Sequence, residues 1–146
     1  MNLSIITSLF LSLLLYWNQI QYSQLIGSWQ LVHFGGMEKI VKSPQYQNAN
    51  ALEKAGMDAR INYRLENTVY KFEEGDLLKF TDFENQTVVQ KEAKIELMPG
   101  NILLIHDEKG DRLAQIVEFS EDRMVLQPIS KSSATGQLIF ERIKKK

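Results

Sequence analysis

Two histidines, His33 and His106, are the side chains of this chain best placed to move a proton near neutral pH. His33 sits late in the apolar run Leu25–Phe34, and His106 closes the run from Ile102, beside Asp107. On an inward face His33 could hydrogen-bond a carboxylate or another polar group. A half-exposed histidine at a strand end is the equally open reading, and His106 reads as a turn residue. The absence of cysteine removes thiolate catalysis, disulfides and cysteine-held zinc. Two histidines could hold a metal only with carboxylate help, and their spacing points to none. Carboxylates are plentiful, but most fall in turns, where solvated charge is the ordinary state. No nucleophile elbow, phosphate loop or zinc motif is present. The residues therefore point away from an enzyme, with no catalytic residue, no metal and no cofactor expected; catalysis by a cavity histidine is the weakest reading.

The elements that must position these residues follow from composition and pattern. The chain has 146 residues, 44% apolar and 24% charged, which suits one domain with a sizeable core. Its net charge of -1 offers no basic excess for neutralising phosphates, so no nucleic-acid partner is expected. The first apolar stretch, Ile5 to Trp17, is shorter than the ~20 residues a membrane span needs. It matches the core of a signal peptide, with an uncleaved membrane anchor and an N-terminal hydrophobic helix as the other readings. Residues 1–23 are expected to be that peptide and residues 24–146 the domain. The protein is then secreted or periplasmic, with no stable membrane span after removal.

From Leu25 onward, short apolar or alternating runs are separated by turn residues. The runs are Leu25–Phe34, Thr68–Phe72, Leu77–Asp82, Thr87–Leu97, Ile102–His106, Leu113–Phe119, Met124–Ile129 and Gln137–Ile143. Only the first connection is long. Within it, Asn48 to Leu65 predicts one helix, interrupted near Gly56 and entered through Ser43-Pro44. Short turns force antiparallel neighbours. The expected fold is all-β: an eight-stranded antiparallel up-and-down barrel, with a helix between strands 1 and 2 placed to act as a lid.

Alternation along each strand assigns the inner face. With Trp29 inward, Leu31 and His33 follow. Tyr70 and Phe72 share a face, as do Leu78 and Phe80. On the long fourth strand Val89, Ala93, Ile95 and Leu97 alternate against polar residues, with Lys91 the one charge on the apolar face. Met124 and Leu126 pair on one face, and Leu138, Phe140 and Arg142 on another. The candidate lining is thus Leu31, His33, Tyr70, Phe72, Phe80, Val89, Ala93, Ile95, Met124, Leu126 and Phe140. Such a lining suits a small-molecule cavity. It equally suits an interior filled by its own aromatic side chains.

Gly27-Ser28-Trp29 on the first strand, with Arg142 on the last, resembles the lipocalin family and its Gly-x-Trp motif. Tyr70-x-Phe72 before Glu73-Glu74-Gly75, and Phe119 to Leu126, are similar to small bacterial secreted lipocalin-like domains. A helical first connection brings in the wider calycin group, which includes the fatty-acid-binding proteins. The resemblance implies non-covalent binding or transport of a small apolar or amphipathic molecule. It also implies that Gly27, Trp29 and Arg142 plug the barrel's base rather than touch ligand. The alternative is a cell-envelope scaffold or protein-interaction module built on a filled barrel. Oligomeric state is left open.

Overall fold

The structure, a computed structural model, describes residues 19–85, 87–130 and 136–146. The Ile5 to Trp17 stretch and most of the expected signal peptide lie outside the described residues. Eight strands follow in order: β1 (Gly27–Phe34), β2 (Val69–Glu73), β3 (Leu77–Glu84), β4 (Thr87–Met98), β5 (Ile102–Asp107), β6 (Gly110–Phe119), β7 (Arg123–Ile129) and β8 (Leu138–Arg142). Each pairs antiparallel with the next, and β8 returns to β1 to close the barrel. Closure gives every strand a neighbour on both sides. This is the expected all-β up-and-down barrel with a helical β1–β2 connection.

That connection holds three helices rather than one: α2 (Gly35–Lys42), α3 (Pro44–Gln47) and α4 (Ala51–Asn67), with α1 (Tyr22–Leu25) preceding β1. α4 starts at a capping box, in which Glu53 N donates to Asn50 Oδ1 at 2.9 Å and Asn50 N donates to Glu53 Oε2 at 3.0 Å. It runs unbroken through Gly56, which faces open space and so imposes no kink. Ser43-Pro44 opens the short α3 instead, with Tyr46 N donating to Ser43 Oγ at 3.2 Å. α2 was hidden behind Gly35-Gly36, a pair that reads as a break. Its Met37, Ile40 and Val41 nevertheless carry helical spacing.

The turns β2–β3, β4–β5 and β6–β7 lie with α1 at one end, the base. The β3–β4 and β5–β6 turns and the helical connection lie at the other, the mouth. At the base the chain before β1 is stitched across the turns. Gly100 N donates to Gln19 Oε1 at 3.2 Å, and Ile20 N to Asn101 Oδ1 at 2.9 Å. Tyr22 Oη donates to the Glu73 carbonyl at 2.5 Å. Ile20 and Tyr22 pack against the core, and Leu25 is wholly buried. The expected domain boundary after residue 23 falls inside α1.

Trp29 is also wholly buried, and its indole N–H donates to the Leu25 carbonyl at 2.9 Å. The Arg142 guanidinium lies over the indole, 4.2 Å from the ring centroid. It donates to three carbonyls: Glu121 at 2.5 Å, Ile26 at 2.8 Å and Gln24 at 2.7 Å. Gly27 has φ +130, and a Cβ there would stand 2.8 Å from Arg142 Nη1. Only glycine combines that backbone with that clearance.

The lower lumen is solid. Trp29, Leu31, Phe72, Leu78, Leu103, Met124, Leu126 and Phe140 are each under 2% exposed or at that limit. Each such side chain contributes about 1.5–3 kcal/mol of apolar burial. Among the described residues no helix is long and apolar enough to cross a membrane.

Arg142→Ala removes the donor to three carbonyls and the cover of the indole. We expect it to cost about 3 kcal/mol, with Arg142→Lys recovering only part, since an ammonium cannot fork over three acceptors. Gly27→Ala should cost about 1–3 kcal/mol through its positive φ. Urea unfolding midpoints measure both, and a wild-type midpoint for Arg142→Ala would refute the assignment.

Candidate binding site

Cross-strand register decides which side chains face the lumen, since directly paired residues share a face. Tyr70 pairs with Phe80, Phe80 with Lys91, Asp82 with Val89, and Leu78 with Ala93. Ile95 pairs with Ile105, and Ile105 with Arg112. Leu31 pairs with Phe140, and Met124 with Phe140. The inner face therefore holds Leu31, Tyr70, Phe72, Phe80, Val89, Ala93, Ile95, Met124, Leu126 and Phe140. Of these, Tyr70 and Val89 remain partly accessible and the rest are buried.

His33 is the exception. A bulge between Leu31 and His33 inserts Val32 as an extra residue, so His33 pairs with the outward Ile139 and Phe34 takes the inner face. The expected inward alternation of Trp29, Leu31 and His33 is thus corrected to Trp29, Leu31 and Phe34. His33 Nε2 stands 3.8 Å from Glu38 on α2, outside the lumen. His106 also faces out and pairs with Asp111 across the β5–β6 turn.

Above the apolar floor the inner face turns polar. Asp82, Lys91, Asp107 and Arg112 all share the lumen phase. Lys91 Nζ lies 3.4 Å from Asp82 Oδ2 and also pairs with Glu84. Lys109 reaches Asp82 Oδ2 at 3.2 Å. Arg112 pairs with Asp107, whose side chain is only 7% exposed, and its Cζ lies 5.7 Å from the centroid of the Phe80 ring. Hydrogen bonds donated to Glu84 and Asp82 hold the Lys91 pKa above its ordinary value. Asp82, Asp107 and Arg112 each adjoin a turn, where charge is normally solvated, so local sequence does not mark them as lumen residues. Their signal was phase: Asp82 lies two residues beyond Phe80, and Arg112 two before Ala114.

Tyr70 stands between the two zones. Its ring is held by Phe140 at 4.7 Å and Phe80 at 5.9 Å between centroids. Burial raises its pKa. Arg112 and Arg64 oppose that, while Asp82 and Asp107 add to it. Arg64 comes from α4, its guanidinium 4.1 Å from the centre of the Phe34 ring at the mouth. α4 lies beside β1, where Ile61 is buried and Leu65 packs on the core. Gly35 N donates to the Gln137 carbonyl at 3.0 Å, and Gly35 and Gly136 approach so closely that a Cβ on either would collide with the other's backbone. The helical connection is thereby rooted on β8.

A cleft of about 440 Å³ opens where β4 runs past the end of β5. Asp82, Val89, Lys91, Asp107 and Arg112 line it. That volume lies within the range of small-molecule sites. A larger, open depression of about 870 Å³ lies outside the base, among Lys71, Glu74, Asp122 and Lys144. Among the described residues no group of three or more histidines and carboxylates is arranged to hold a metal.

No protein-family model and no curated protein sequence matches the chain. Among solved structures, the chain is similar to bovine odorant binding protein in its complex with undecanal. The TM-score is 0.51 at 14% identity, over 88% of this chain and 77% of that one. The likeness is one of fold, an eight-stranded closed barrel of lipocalin type.

Proposed function

We propose that the protein binds a small apolar or amphipathic molecule non-covalently at the mouth-side half of its barrel, without catalysis. The observation that carries this reading is the change of character along the lumen. A solid apolar floor meets a ring of inward polar side chains, with a cleft of about 440 Å³ at the transition. The similar bovine protein holds undecanal, an apolar chain with one polar end. A barrel of this two-zone kind suits the same broad ligand class. We further propose that the chain is a small bacterial lipocalin-like domain, secreted or periplasmic once its first apolar stretch is removed. α4, carried on the connection that Gly35 roots and touching the mouth through Arg64, is the lid.

A second reading is favoured by the outer wall. Leu104, Leu113 and Ile129 are cross-strand neighbours on the outer face of β5, β6 and β7. Leu113 and Ile129, with Val117, are exposed. A filled barrel working as a scaffold would use such a face.

Binding is checked with a fluorescent apolar probe and by native mass spectrometry for co-purified lipid. Val89→Trp should weaken probe binding by about tenfold or more by filling the cleft. A wild-type chain that takes up no probe and carries no molecule removes the binding reading in favour of the scaffold. Deleting residues 48–59 should alter ligand association and release rates. A folded deletion variant with unchanged exchange removes the lid.

Alkaline pH tests the setting of Tyr70. Its folded pKa is raised, so the unfolded chain loses that proton first, near pH 10. The stabilisation is complete below that pH and is lost as pH rises through it toward the folded value. Urea stability should therefore fall above about pH 10, and less steeply in Tyr70→Phe. An unchanged slope in that variant would place the phenol in solvent.

A further inference from the structure

We propose that the mouth-side cleft selects a guest with a cationic head of the primary-ammonium class, and that this head takes the place at Asp82 which the Lys109 ammonium fills in this structure. The inference deepens the binding function proposed above and rests on it.

The first observation is the charge of the lining. Five carboxylates stand against three cations around the cleft, in a chain whose net charge is only -1. Each of the three cations is already met by a carboxylate of the same lining. Lys91 lies against Asp82 and Glu84, Lys109 against Asp82, and Arg112 against Asp107. Glu92 and Glu108 are the two carboxylates that no cation of the lining answers. Glu92 is met from the outer face, by Lys79 at 3.9 Å. Glu108 stands beside Lys109 on the β5–β6 turn and is exposed. A carboxylate guest therefore meets cations that are already paired and carboxylates that repel it. An ammonium guest is attracted by the same excess, and an alcohol meets neither gain nor penalty.

The second observation is Lys109 itself. The cleft lies between the β3–β4 hairpin and the β5–β6 turn, and Lys109 Nζ crosses it to Asp82 Oδ2 at 3.2 Å. A primary ammonium on a flexible alkyl arm thus already sits on a carboxylate of the cleft, which shows that the group fits there. Lys109 is also the replaceable one of the two lysines at Asp82. Its side chain is 66% exposed, where that of Lys91 is 21%. It comes from a turn, where Lys91 comes from the wall of β4. An exposed ion pair on a long side chain is held weakly, because ordering the arm offsets most of the attraction. A guest ammonium carries a longer apolar chain than the lysine does. Val89 pairs with Asp82 across the hairpin and lines the cleft, so the carbons next to the head have an apolar neighbour. That contact is what lets the guest displace Lys109.

The test uses the full chain and three ten-carbon competitors: decylamine, decan-1-ol and decanoate. Each displaces the apolar probe N-phenyl-1-naphthylamine at about pH 7.5, where the amine is charged. The readout is the ratio of the decanoate to the decylamine half-displacement concentration within one protein, which cancels any change in probe affinity. Wild type should give a ratio of about three to ten, with the alcohol between the two ions. About 0.5 M sodium chloride should draw the ratio toward one. Lys109→Ala should raise it about two- to fivefold further, because Asp82 then has one ammonium partner fewer. Lys144→Ala, which removes the same charge at the base, should leave it at the wild-type value. Damage to the fold would weaken all three competitors alike and move no ratio. A wild-type ratio of one or below overturns the head-group selection. A ratio that Lys109→Ala leaves unchanged or lowers, or that Lys144→Ala raises equally, overturns the displacement of Lys109. Each of these results leaves the binding function standing. Failure of the probe to bind wild type at all overturns the binding function and this inference with it.

Discussion

The Arg142 guanidinium is the single group on which the barrel's closed end depends. It lies on the last strand, yet its three acceptors belong to α1, to the residue that leads into β1 and to the β6–β7 turn. One planar fork thus joins parts of the chain that are far apart in sequence. Loop closure for such contacts is costly in entropy. The return is a charged, forked set of hydrogen bonds over a desolvated indole, where each bond is stronger than a neutral one. Everything else at the base follows its geometry. Gly27 must be glycine because the guanidinium occupies the space of its Cβ. Leu25 must offer its carbonyl because the indole N–H beneath the guanidinium needs an acceptor.

A plug of this strength decides where function can lie. With the base shut by Trp29 and Arg142 and the lower lumen filled by Phe72, Phe140 and Met124, a molecule can enter only from the mouth. The polar ring at that end is then the first surface it meets. Burying charged groups in a barrel wall is unfavourable unless they are paired. Here Asp107 meets Arg112, while Lys91 meets Asp82 and Glu84. The pairs sit where β4 outruns β5 and the wall loses its ladder hydrogen bonds. Side-chain pairing thus takes over at the point where backbone pairing stops.

The strands were legible because their turns were. Pro99-Gly100-Asn101 and Glu74-Gly75-Asp76 contain residues that tolerate positive φ, and the structure uses it at Gly100, Asn101, Gly75 and Asp76. Alternation on β4 was clean enough to place Val89, Ala93 and Ile95. His33 was misplaced because a period-2 reading has no means of seeing a bulge. Val32 is an ordinary β-branched strand residue, and the extra step it adds is set by pairing with β8, remote in sequence. α2 was missed for a related reason: a glycine pair that looks like a break is here the root of a helix, selected by close approach to Gly136.

Lys91 is where local and tertiary logic meet. As a lone charge on an apolar face it reads as a fault in an otherwise regular strand. Its partners explain it only in three dimensions, because Glu84 lies across the β3–β4 hairpin and Asp82 one inward step below Glu84's turn. A residue that breaks a local pattern persists when something nonlocal compensates for it. The compensation leaves the lumen's upper half polar, with Lys91 and Arg112 each held against a carboxylate. A wall of paired charges above an apolar floor favours a guest with the same order of parts.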